Sequence, residues 1–133
     1  MARKGLTPQG WHESPIAGKV HYQSGYERKF MQWLDANKIN WIKCKEKFPY
    51  MKDDGKIHKY NPDIYLPDFD LYIEVKGMIR KNDPAKLQAF PDIKRLALLG
   101  VDELKKLGLD VYDPGEFKVK DRDNSKWPFN IIN

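Results

Sequence analysis

The chain has 133 residues, 41% hydrophobic and 32% charged, with a formal net charge of +5. That length suits one domain with one modest core, and that balance excludes a disordered polyelectrolyte. Its single cysteine, Cys44, excludes an intrachain disulfide framework and fits a reducing cytosol.

No apolar run is long enough to cross a bilayer, and residues 1–22 lack the apolar stretch of a signal peptide. The expected setting is therefore cytoplasmic. A basic balance favours a polyanionic partner, of which nucleic acid is the commonest.

Residues 1–22 are polar and basic with scattered Gly, Pro and aromatics, and read as an N-terminal arm or loop with at most one short element. A helix is expected from Ser24 to about Asn37, because Tyr26, Phe30, Trp33 and Leu34 recur at helical spacing. Trp41 to Met51 reads as a strand made irregular by Pro49. Asp54-Gly55 marks a tight turn, and Ile57 to Leu66 is the return strand. Residues 67–70 turn the chain again into a third strand, Leu71 to Lys76, closed by Gly77. Asp83-Pro84 has the signature of an N-cap with proline at the first helical position, opening a helix to about Phe90. Ile93 to Leu99 reads as a buried strand, Asp102 as the cap of a short helix ending at Gly108, and Leu109 to Tyr112 as a last strand. The tail 113–133 is charged and then aromatic, with Trp127 and Phe129 as docking or base-stacking candidates. The whole is a single α/β domain: helix, three antiparallel strands, helix, strand, built on one central sheet.

Two acids interrupt the apolar strands around the 67–70 turn. If Leu66 pairs with Leu71, the antiparallel register puts Asp63 opposite Glu74 and Asn61 opposite Lys76. Such partners hold their Cβ atoms roughly 4.5–5.5 Å apart. Alternation then turns Ile64, Leu66, Leu71, Ile73 and Val75 to one face, and Asp63, Glu74 and Lys76 to the other. Facing carboxylates repel, so a compensating charge is required. Lys76 supplies one, and a divalent cation suited to oxygen ligands, Mg²⁺ or Mn²⁺, would supply more. The same residues also fit a surface ion-pair cluster. The acids break apolar runs, however, and Pro62 and Gly77 break regular pairing beside them, which favours a site of phosphodiester chemistry.

At Pro62-Asp63 and Glu74-Val75-Lys76 the chain resembles the PD-(D/E)XK nuclease superfamily, over roughly residues 24–99. Within it, the run from Tyr60 to Gly77 is most similar to phage endonuclease I, which resolves branched DNA, and to related small phage endonucleases. The resemblance implies a restriction-endonuclease-like core and a Mg²⁺-dependent DNA endonuclease selective for branched DNA such as Holliday junctions, acting as a homodimer. It implies Asp63, Glu74 and the backbone carbonyl of Val75 as metal ligands and Lys76 as the residue that orients water or stabilises charge. It adds Glu27 from the first helix as a further catalytic or metal-site residue. Ser24 and Glu27 also have capping-box spacing, so Glu27 has a purely structural alternative.

Arg28, Lys29, Arg80 and Lys81 are the candidate DNA contacts, with Arg3, Lys4 and Lys19 on the arm. No recognition helix or zinc-finger spacing stands out, which fits recognition of DNA shape. His12, His21 and His58 lack any paired motif and read as surface or structural residues. Two other functions fit the same residues: a DNA-binding or assembly protein on a nuclease-like fold, and a nuclease subunit active only with a partner protein.

Overall fold

The computed structural model describes residues 9–51, 54–75 and 95–111. A hairpin of β1 (Gly10–Ser14) and β2 (Gly18–Tyr22) leads into helix α1 (Gly25–Ala36). Then come β3 (Ile42–Lys43), β4 (Phe48–Met51), β5 (Ile57–Tyr60) and β6 (Ile64–Leu66). A 3-10 turn (Pro67–Phe69) joins β6 to β7 (Leu71–Val75), and β8 (Arg95–Leu99) precedes helix α2 (Val101–Lys106).

The central sheet has the order β3-β6-β7-β8, antiparallel except for the parallel β7–β8 pair. Each strand expected on either side of Asp54-Gly55 is in fact two strands. Pro62 supplies no amide hydrogen and interrupts the return strand. Its outer half, β5, pairs with β4 as a separate hairpin, while its inner half, β6, joins the sheet. Gly55 has φ +76, a left-handed conformation that favours glycine. At the next turn Asp70 has φ 48 and accepts the Tyr65 hydroxyl at 2.7 Å.

The two faces of the sheet are both covered. Ile64, Leu66, Leu71, Ile73 and Val75 pack with α1 residues Tyr26, Phe30, Met31 and Leu34 and with Trp41. On the opposite face Tyr72 packs with Cys44 and with Phe48, Tyr50 and Tyr60 of the outer hairpin. Burying each such large side chain is worth about 1.5–3 kcal/mol. Helix α1 starts where its cap allows: the Ser24 hydroxyl accepts the Glu27 amide hydrogen, and Asn37 is the C-cap.

Three further expectations change. Residues 10–22 are a hairpin, not an arm, because its inner face is tied to α1: Ser14 donates to Asp35 at 2.6 Å and His12 Nε2 lies 2.7 Å from the same carboxylate. Leu109 to Val111 are irregular where a last strand was expected. Gly100, not Asp102, is the N-cap of α2, and Glu103 turns back to accept the Gly100 amide hydrogen at 2.9 Å. The helix expected from Asp83 to Phe90 and the tail 113–133, with Trp127 and Phe129, lie outside the described residues.

Candidate active site

The register of β6 and β7 pairs Leu66 with Leu71, Tyr65 with Tyr72 and Ile64 with Ile73. Continued by one residue, it brings Asp63 to Glu74, as the loop length predicts. At that point the ladder changes hands. The Asp63 main-chain carbonyl accepts the Cys44 amide hydrogen at 3.2 Å, and its carboxylate accepts the Val75 amide hydrogen at 2.7 Å. Asp63 is therefore anchored between β3 and the end of β7.

Two more acids come from different elements. Glu74, on β7, is 5% exposed, and Glu27, in the first turn of α1, is 2% exposed. Buried carboxylates need partners. Glu74 accepts the Tyr60 hydroxyl at 2.7 Å. Glu27 accepts the Gln23 amide hydrogen at 3.3 Å and forms an ion pair with Lys43 of β3. Glu27 thus carries half of a capping box, since Ser24 caps its amide while its own carboxylate goes to Gln23 and Lys43. The third buried acid, Glu103, is accounted for by its bond to Gly100.

The Asp63 carboxyl is pushed well above the usual carboxylate range, first by its burial, then by the negative charges of Glu74 and Glu27. Lys43 and the Val75 amide oppose that rise without reversing it. Asp63 as a residue is only partly covered, but its carboxyl group is held away from water. The Tyr60 phenol is also raised, by burial and by Glu74, so it stays protonated and acts as a donor.

The structure therefore brings Asp63, Glu74 and Glu27 into one electrostatic unit, with Val75 at its edge. Lys76, Arg80 and Lys81 lie outside the described residues. Arg28 is exposed on α1, its guanidinium 5.7 Å from the Tyr22 ring centroid, and Lys29 is half-buried. Of the histidines, His12 meets Asp35 and His58 meets Asp54 at 3.2 Å, both structural pairings. Sequence reasoning missed Lys43 and Tyr60. Their partners lie 16 and 14 residues away and belong to no local periodicity. The weak signal available was a buried acid in want of a donor.

All candidate ligands are oxygens. Among the described residues no group of three or more His, Cys, Asp or Glu side chains is set to hold a metal ion. Asp63 and Glu74 alone suit a hard cation such as Mg²⁺, which commonly takes one or two carboxylates and completes its shell with water and phosphate oxygens.

An antiparallel sheet extended by a parallel strand, with buried carboxylates gathered at the end of two neighbouring strands, makes this an α/β protein consistent with a nuclease-like core. The chain belongs to the phage endonuclease I family, whose model matches residues 9–93. It is 32% identical over 74 residues to the head completion nuclease of Enterobacteria phage T4. That alignment covers 51% of this chain and 49% of the relative, so the chain spans about half the length of the curated protein it matches. No solved structure matches. No helix among the described residues is long and apolar enough to cross a membrane.

Proposed function

We propose that this chain is a metal-dependent DNA endonuclease of the PD-(D/E)XK type. The observation that carries this reading is the register that sets Asp63 beside Glu74, with the Asp63 carboxyl raised by burial and by its acidic neighbours. Repelling buried carboxylates destabilise a fold, and a divalent cation held by them would turn that cost into affinity. Family membership supports nuclease chemistry, and the net charge of +5 supports a polyanionic substrate.

Asp63 and Glu74 would hold the Mg²⁺ or Mn²⁺, with the Val75 carbonyl as a further ligand. The cation supplies activation of the attacking water and offsets negative charge on the phosphate. Val75 orients Asp63 through its amide, and Tyr60 orients Glu74 through its hydroxyl. Lys43 neutralises Glu27, which joins the site only by loosening that ion pair. Lys76 positions the attacking water or stabilises the developing charge. Arg28, Lys29, Arg80 and Lys81 contact DNA phosphates, making affinity depend on salt.

The substrate in this reading is branched DNA such as a Holliday junction, cut by a homodimer because two strands must be broken. A second reading is a nuclease subunit active only with a partner protein; the name of the T4 relative, a head completion nuclease, supports a setting in phage head completion.

The test incubates purified protein with supercoiled plasmid, linear duplex and a four-way junction, in Mg²⁺ or in EDTA. Cutting that needs metal and disappears in Glu74→Ala is the expected result. Binding to all three without cutting would overturn the enzyme reading for the chain alone. Preference for the junction separates the resolvase from a general nuclease, and cutting that appears only with head proteins establishes the second reading.

A further inference from the structure

The β1–β2 hairpin has two unlike faces. Val20, Tyr22 and Ser14 are buried toward α1, while Trp11, Glu13 and Lys19 face water and His21 is half-buried. Trp11 is 63% exposed, although an indole is among the most favourable side chains to bury. It is also held in place. Its cross-strand partner His21 meets it edge to face, with centroids 5.1 Å apart and planes at 73°. The Lys19 ammonium lies 5.4 Å from the same ring's centroid.

The strand that carries its partner His21 leads directly to the acidic site. His21 is two residues before Gln23, whose amide donates to Glu27 at 3.3 Å. Arg28, over the Tyr22 ring, belongs to the other face of the hairpin. An exposed aromatic, pre-oriented by His21 and with the Lys19 ammonium beside it, has the chemistry of a stacking surface for nucleic-acid bases. Glu13, opposite Lys19, is the one acid on this face of the hairpin, at the end away from Tyr22.

We propose that the outer face of the β1–β2 hairpin is a DNA platform: Trp11 stacks an unpaired base next to the scissile phosphate, and Lys19 holds the adjoining phosphate. The inference rests on the endonuclease reading and sharpens it. It assigns as substrate a duplex with at least one unpaired base beside the cut, and it gives the selectivity to the hairpin and not to the acids.

The test uses the full chain in EDTA, where binding is separated from cutting. The probe is a forked duplex with 2-aminopurine at the first unpaired position, compared with a fully paired duplex of equal length. The expected result is quenching of the probe on binding. Trp11→Ala should abolish the quenching and weaken fork binding on the order of tenfold, with duplex binding unchanged. Trp11→Phe should keep most of both signals, and Lys19→Ala should weaken fork and duplex alike. Trp11 is exposed, so the variants fold, which a thermal melt verifies. Quenching and fork affinity unchanged in Trp11→Ala would overturn the platform, as would equal losses on both substrates. Cutting is scored separately in Mg²⁺. If wild type cuts nothing while the quenching depends on Trp11, the endonuclease reading fails and the platform stands. If wild type cuts and Trp11→Ala matches it in every readout, only the platform fails.

Discussion

The Val75 amide donates to the Asp63 carboxylate at 2.7 Å, just beyond the last paired residues of β6 and β7, Ile64 and Ile73. A side chain here does the work of a strand backbone. It lets β6 start only at Ile64, after Pro62, while the Val75 amide keeps a partner, and it fixes a carboxyl group where Glu74 and Glu27 make ionisation costly. Structure and strain of charge are thus joined in one residue.

That cost sets a pH dependence. Asp63 holds its proton more tightly in the folded state than in the unfolded chain, because burial and acidic neighbours raise it. With divalent cations removed, folding stability should therefore fall as pH rises from the ordinary value of 3.8 through the raised folded value. Asp63→Asn keeps an oxygen for the Val75 amide and removes the charge. Melts in EDTA at neutral pH should show the variant more stable than wild type, with a flatter pH profile. A variant that melts well below wild type would show that Asp63 is not under electrostatic stress.

Tyr60→Phe tests the orientation of Glu74. A hydrogen bond to a charged group contributes about 1.5–3 kcal/mol, and Tyr60 donates one to a carboxylate that is 5% exposed. Urea unfolding should show a loss in that range. Activity should drop without vanishing, because Glu74 remains, whereas Glu74→Ala should abolish it.

Lys43 and Glu27 should behave as a coupled pair. Lys43→Met leaves a buried carboxylate without its cation. Because the lysine side chain is 25% exposed, the expected loss is about 2 kcal/mol, below the ~3–5 kcal/mol of a fully buried pair. Glu27→Gln in the same chain should recover most of it. Additive losses in the double-mutant cycle would mean that the ion pair contributes nothing to folding.

Asp35 anchors the N-terminal hairpin and titrates in the opposite sense to Asp63. Burial alone would raise it, but bonds from Ser14, Trp41 and His12 outweigh that and hold it below the usual range. Its contribution is present above pH 3.8 and is lost as pH falls through the lower folded value. Asp35→Ala should cost about 1–3 kcal/mol, the penalty for stranding buried donors. It should also speed amide exchange in β1 and β2 before the central sheet. Exchange that rises uniformly through the chain would argue against a local anchor.

Helix α1 was legible because Ser24, the apolar spacing from Tyr26 to Leu34 and Asn37 are all local signals. The Asp63–Glu74 register was legible because a short turn between apolar strands leaves few ways to pair them. The β1–β2 hairpin was not, since its inner face depends on Asp35, more than 20 residues away. The split of the long hairpin at Pro62 was half visible: proline forbids the bond, but only tertiary packing of Phe48, Tyr50 and Tyr60 on Tyr72 decides where the outer half goes. Lys43 and Tyr60 were invisible for the same reason, as residues defined by partners across the fold.

Thermal melting with and without millimolar Mn²⁺, for wild type and Glu74→Gln side by side, tests most directly whether the buried acids hold a cation. A ligand that binds only the folded state raises its melting temperature. Wild type should melt higher with Mn²⁺, and Glu74→Gln should gain little or nothing. An equal rise in both proteins, or none in wild type, would contradict the assignment of Asp63 and Glu74 as the metal site.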